Sequence, residues 1–245
     1  LLVPIGLVTG LVCALVVKQP DLGTTISIVL MIGAMVVVSG VPGWLVARVG
    51  VAGIGAFVLS IAMSSYQRAR FTAFLDPWSP HQAADGAYQV VNAMIGIGSG
   101  GVFGDGIGNG IVKTGYLPEA HTDMIFAVIG EETGLVGAAI VIGLFAAFAW
   151  AGYSIALQSR DRFRGLVAVG ATSLITGQAV VNLGAVMGVM PLTGIPLPLI
   201  SYGSSSRLVT LLMVGLLVRI AREDAAEARK GGDVRVFPQR PDAAT

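Results

Sequence analysis

Apolar residues come in runs of about twenty along this chain, broken by short polar turns and, once, by a polar stretch of roughly fifty residues. Six runs can be drawn: Leu1 to Val17, Thr25 to Leu45, Val46 to Tyr66, Gly134 to Leu157, Gly165 to Met187 and Leu208 to Ile220. The second is interrupted late by Gly40 and Pro42. A helix satisfies its own backbone hydrogen bonds, so each run predicts a membrane-spanning helix rather than a strand. The predicted fold is therefore all-α, a polytopic helical membrane protein with about six transmembrane helices. Gly and other small residues within the last three runs suit close helix packing.

Between Gln67 and His121 the pattern breaks into Gly, Pro, Asp, Arg and aromatic residues. A loop of that length inside a compact protein is usually functional. Within it, Ala87 to Ile97 predicts a short amphipathic helix at the membrane interface.

Composition agrees with the pattern. The chain is 54% hydrophobic and 12% charged with a mean hydropathy of +0.81, whereas a soluble domain carries about 25% charged residues. Its net charge of +1 offers no basic field for nucleic acid. The one cysteine, Cys13, lies inside an apolar run, which excludes an internal disulfide and a cysteine metal site. The chain opens on Leu1-Leu2-Val3-Pro4 without an initiator methionine or signal-peptide pattern, and reads as the C-terminal part of a longer protein.

Basic residues in short loops mark the cytoplasmic side. Arg160, Arg162 and Arg164 follow the fourth run, and Arg219, Arg222, Arg229 and Lys230 follow the sixth. Alternation then places Lys18 to Asp21, the long loop of about residues 67–123 and Pro191 to Ser206 together on the outer face. The membrane domain is expected over 1–222, and the tail 223–245 is expected to be cytoplasmic and disordered.

The candidate chemistry gathers on that outer face. Asp21 is placed to cap the second helix, where a carboxylate accepts free backbone N–H groups. Arg68 and Arg70, with Trp78 close by, suit interface anchoring and phosphate binding equally. The glycines from Gly98 to Gly110 permit close backbone approach to a ligand, but the pattern is not that of a phosphate-binding loop of nucleotide-binding proteins. Glu119, His121 and Asp123 fall within one short segment just before an apolar run. If that segment is helical, Glu119 and Asp123 share a face. Asp123, nearest the membrane, is the carboxylate most in need of a partner or a use. Glu131 and Glu132 raise the same question deeper in. The prolines between Pro191 and Pro198 forbid a regular helix, so that segment is expected to wall the site formed by the long loop.

Together, Gln19 to Thr24, Gly98 to Gly110, Tyr116 to Asp123, Phe126 to Glu132 and Pro196 to Gly203 resemble the SEDS family, the membrane glycosyltransferases of bacterial cell-wall synthesis. The resemblance covers nearly all of residues 1–222. Ala120, within Pro118-Glu119-Ala120-His121-Thr122-Asp123, looks like the division type (FtsW) rather than the elongation type (RodA). Two departures stand out: members have about ten spans, so about four are missing here, and Ser204 and Arg207 depart from the family's Ser-Tyr-Gly-Gly-Ser-Ser pattern, with strain expected at Ser204.

What the resemblance implies is an inverting peptidoglycan glycosyltransferase that polymerises lipid II into glycan strands during cell division. Asp123 would be the catalytic residue. Lys113, Arg68, Arg70, Glu119, His121 and Ser201 would bind substrate, with a divalent cation (Mg or Mn) as candidate cofactor. The partners would be lipid II, a monofunctional class B penicillin-binding transpeptidase and divisome proteins. The site would face outward from the bacterial cytoplasmic (inner) membrane, with the C-terminus in the cytoplasm. The alternatives are a lipid II flippase and an elongation-type polymerase.

Overall fold

The computed structural model describes residues 2–19, 21–78, 87–115 and 117–229. Eight α-helices appear among them: α1 (Leu2–Lys18), α2 (Leu22–Val38), α3 (Gly43–Met63), α4 (Ser65–Leu75), α5 (Ala87–Ser99), α6 (Ile125–Gln158), α7 (Arg162–Val186) and α8 (Ser204–Arg229), with a 3-10 turn at Val112–Thr114 and no strand among the described residues. The expected all-α class holds. By length and composition α6, α7 and α8 are able to cross a membrane, and Gly6–Val16, Leu22–Val38 and Gly43–Gly55 form shorter apolar stretches.

The core forms around α7, which packs on both α2 and α6. Small residues set these approaches: a methyl group on Gly152 would run into the Thr172 side chain, and one on Gly170 would lie 2.9 Å from Met35 Sδ. Between helices that gain little from leaving lipid, such close contact carries much of the attraction. Outward, α8 exposes Leu208, Leu211 and Leu212, and α6 exposes Leu135, Ile140 and Leu144, as lipid-facing surfaces do.

Gly134 breaks α6, with φ 66° and ψ −163°, a conformation essentially confined to glycine. The break is filled by the glycine loop. Leu135 and Val136 donate to the carbonyls of Gly101 and Val102 (2.9 and 3.2 Å), while Asp105 and Gly106 donate to the carbonyls of Glu131 and Glu132 (3.0 and 3.1 Å). A methyl group on Gly100 or Gly104 would collide with α6 backbone. Most of the glycine run from Gly100 to Gly106 is therefore explained by packing into a broken helix.

Four expectations change. Residues 65–75 form a separate helix where the end of the third run, to Tyr66, and the start of the loop were expected: Ser64 caps it by accepting from Gln67 N (3.4 Å), and Ser-x-x-Gln is half of a capping box. The fourth span begins at Ile125, nine residues early, because Glu131 and Glu132 find partners that let a helix carry them. No strain falls on Ser204, which opens α8; among the described residues the positive φ angles outside glycine belong to Glu119 and Leu199. Finally, α8 continues to Arg229, so residues 223–229 of the tail expected to be disordered are helical; 230–245 lie outside the described residues.

That extension of α8 is held by the first turn of α7 and the residue Arg160 just before it. Arg164 pairs with Asp224 (3.0 Å) and Glu227 (2.7 Å), Arg160 donates to the Glu227 carbonyl (3.3 Å), and Arg162 donates to the carbonyl of Ser39 at the end of α2 (2.6 Å). Arg160, Arg162 and Arg164 thus gather the start of α7, the end of α2 and the C-terminal part of α8 at one end of the bundle, and Lys230 lies outside the described residues.

Candidate active site

At the other end of α2 the three segments assigned to the outer face converge. Asp21 caps α2: Thr24 N donates to Oδ1 (2.9 Å) and Thr24 Oγ1 to Oδ2 (2.6 Å), as the capping reading expects. The next turn is flat at Gly23, where a methyl group would run into the Ile195 side chain. The proline-rich segment therefore lies directly on the start of α2. Between them and α4 opens a cleft of about 390 Å³, lined by Gln19, Asp21 and Thr24, by Tyr66 and Arg70, and by residues 193–196.

Arg70 is fixed on α4 one turn after Tyr66, its guanidinium 4.7 Å over the Tyr66 ring, and Nη1 donates to the Leu192 carbonyl (3.2 Å). Gly194 follows two residues on, with φ +73°. A methyl group built there would lie 3.8 Å from Arg70 Nη1 and 4.0 Å from Asp123 Oδ2. A cation and a carboxylate therefore reach one bare point of backbone on the cleft wall.

Asp123 is 8% exposed. Burial pushes its carboxyl above the ordinary range and nearby Glu119 adds to this; a hydrogen bond from Thr122 and the charge of Arg70 pull the other way. The Thr122 hydroxyl lies 3.1 Å from Asp123 Oδ1, 3.0 Å from Glu119 Oε2 and 3.0 Å from the Glu119 carbonyl, so its one proton has three acceptors to choose from.

Two loops form this wall, and three residues join them. Ser201 Oγ accepts from Leu197 N (2.7 Å) and donates to the Thr122 carbonyl (2.5 Å). Tyr202 N donates to the His121 carbonyl (2.8 Å). Asn182 Nδ2 donates to the carbonyls of Asp123 (2.6 Å) and Ile195 (2.7 Å).

Of the residues singled out from sequence, Arg70 and Asp123 are brought together. Arg68, on the same helix, is exposed and does not line the cleft. Lys113 pairs with Glu132 at the glycine loop, so its ammonium is balanced by a carboxylate of α6. Glu131, 2% exposed, accepts from Ile111 N and Val112 N (2.8 and 3.2 Å). Glu119 stands in a left-handed turn (φ 57°) with its side chain exposed, and is not helical with Asp123. His121 exposes its side chain and contributes its backbone. The Ser201 hydroxyl is committed within the protein and holds the loops rather than reaching a ligand. Asn182 and Gly194 were not foreseen; a polar amide inside a predicted span is the signal that points to Asn182.

No group of three or more His, Cys, Asp or Glu side chains converges among the described residues, and both Asp21 oxygens are taken by its capping role. The donors present do not make a protein-only cage for a divalent cation.

A family description reading "Cell cycle protein", for FtsW, RodA and SpoVE, matches residues 1–226. The chain belongs to that family. It is similar to a "Probable peptidoglycan glycosyltransferase FtsW" of Taylorella equigenitalis, 40% identical over 224 residues, covering 90% of this chain and 61% of that protein. A protein of the same name from Dichelobacter nodosus is 42% identical over 219 residues, covering 88% and 55%. Among solved structures, one described as "Structural coordination of polymerization and crosslinking by a peptidoglycan synthase complex" superposes with a TM-score of 0.69 at 30% identity, covering 89% of this chain and 61% of that one. The chain spans about three-fifths of these family relatives' length.

Proposed function

We propose that this chain carries the catalytic face of an inverting peptidoglycan glycosyltransferase that polymerises lipid II, of the division type. The observation that carries the reading is the convergence of Arg70 and Asp123 on Gly194 at the edge of the cleft. Glycosyl transfer from a lipid diphosphate needs a base for the attacking hydroxyl and positive charge for the leaving group. Asp123 accepts the proton of the 4-hydroxyl as that oxygen bonds to the anomeric carbon of the growing chain. The bond from that carbon to the diphosphate breaks on the opposite side, which inverts the configuration. Arg70 faces the departing phosphate oxygens, which guanidinium pairs with bidentately. A buried base with a raised pKa is better matched to a hydroxyl than an ordinary aspartate.

Arg68, Lys113 and His121 are anchoring or orienting groups around this arrangement, and Glu119 adjoins the base through the Thr122 hydroxyl. A divalent cation would be carried by the substrate's phosphates with little help from protein carboxylates, a mode that Mg favours. The cleft faces outward from the cytoplasmic membrane and the arginine-rich end faces the cytoplasm, in line with the bias of basic residues. A class B penicillin-binding transpeptidase and divisome proteins are the partners in keeping with this activity.

The test is polymerisation of labelled lipid II by the full-length protein with its transpeptidase, comparing wild type with Asp123→Asn. Polymer from wild type and none from the folded variant supports the reading. Normal polymer from the variant removes Asp123 from the chemistry. No polymer from wild type, with transfer of lipid II across vesicles instead, replaces the enzyme by a transporter.

A further inference from the structure

We infer that Asn182 of α7 is the positioning residue of the active site, holding Asp123 at a set distance from the Gly194 wall; this rests on the reading of Asp123 as the base. Asn182 is 2% exposed and sits in the most enclosed helix of the bundle, between Val181 and Leu183. An amide at such a place costs free energy unless its hydrogen bonds are made. Here both protons are used: one bond goes to the Asp123 carbonyl at 2.6 Å and one to the Ile195 carbonyl at 2.7 Å. The oxygen, Oδ1, is buried with no partner.

This asymmetry defines the role. Turning the amide over would set its oxygen against two carbonyl oxygens, so the side chain acts as a donor only. Its two acceptors belong to different loops. One is the backbone of the proposed base, and the other is the residue after Gly194. A single planar NH2 group therefore sets the spacing between the carboxylate and the wall it faces, from a helix that packs on both α2 and α6. Ser201 holds the neighbouring Thr122 carbonyl, which leaves the carbonyl of Asp123 itself to Asn182. Such support decides whether a base stays within about half an ångström of productive geometry.

The test compares Asn182→Leu, similar in volume without donors, and Asn182→Gln, with both donors on a longer stem, in the full-length protein with its transpeptidase. Turnover is counted per folded molecule, by the melting transition in detergent, on a polyprenyl-diphosphate-linked disaccharide. The expected result for Asn182→Leu is a fall in kcat of about 100-fold, with KM unchanged and the acid limb of the pH profile displaced toward the ordinary aspartate range. Asn182→Gln is expected to regain part of the kcat.

An Asn182→Leu protein that turns over like wild type overturns the inference. So does a loss that vanishes when counted per folded molecule, or one in KM alone. If Asn182→Leu does not fold, Asn182→Gln decides: reduced kcat at unchanged KM supports the inference, and wild-type kcat overturns it. Asp123→Asn runs alongside. If it polymerises, the base reading itself fails; if it is inert while Asn182→Leu is fully active, only the positioning role fails.

Discussion

Arg70 and Asp123 reach within 4.0 Å of one point, the place a side chain at Gly194 would occupy. The two side chains come from separate elements, Arg70 from α4 and Asp123 from the loop before α6, and meet at a position that carries no side chain of its own.

Filling that point has a predictable effect. In Gly194→Ala the methyl meets no hard clash, but φ +73° costs an L-residue about 1–2 kcal/mol. The melting midpoint should fall modestly, while polymerisation falls further than the stability loss explains. Equal losses in both would show that the space over Gly194 is not used.

The pH dependence follows from Asp123. Its pKa is raised by burial, so the folded protein holds this proton to higher pH than the unfolded chain does. Stability from the neutral carboxyl is present below the unfolded value of about 3.9 and is lost as pH rises through the folded one. Activity runs the opposite way, since a base must be deprotonated. The acid limb of kcat/KM of the wild-type protein should lie above the ordinary aspartate range; an acid limb within that range would assign it to another group.

Lys113 and Glu132 should behave as a pair. With side chains 25% and 13% exposed, they should show a coupling of about 1 kcal/mol in a double-mutant cycle of Lys113→Ala and Glu132→Ala. Measured melting should place the double variant close to either single one, with KM little changed. A raised KM from Lys113→Ala at unaltered stability would restore Lys113 to substrate binding.

At Gly134 the expectation is severe. An alanine there would have to hold φ 66° and ψ −163°, with its methyl 2.5 Å from Gly104 N and Val102 O. The backbone strain alone is about 1–3 kcal/mol, and the collision adds to it. Gly134→Ala should melt well below wild type, whereas Gly143→Ala on the same helix, with open space around it, should not.

Much of this arrangement is legible in the order of residues, because it depends on local chemistry. Apolar runs mark the helices, Asp21 caps α2 as a capping residue should, and the short helix expected from Ala87 to Ile97 forms as α5. Asp123 stands out because a carboxylate beside an apolar run needs a reason. What escaped notice depends on pairing across distance. Nothing near Lys113 says that its charge is balanced by Glu132, nineteen residues on. The Ser201 hydroxyl meets Thr122 seventy-nine residues away, so its structural use is invisible locally. The helix at 65–75 was hidden by its polarity, although Ser64 and Gln67 carried the capping signal.

The filled break in α6 also limits how the glycine loop can move. Helix and glycine loop share four peptide hydrogen bonds, and opening either would leave amides bare near hydrocarbon, where each costs several kcal/mol. They must open together or not at all. In the cleft wall, Arg70 rests on the Tyr66 ring and the Leu192 carbonyl by its side chain. Displacing the Arg70 side chain would bare no peptide N–H, whereas pulling the glycine loop out of the break would bare four, so the two parts of the chain differ in what their movement costs.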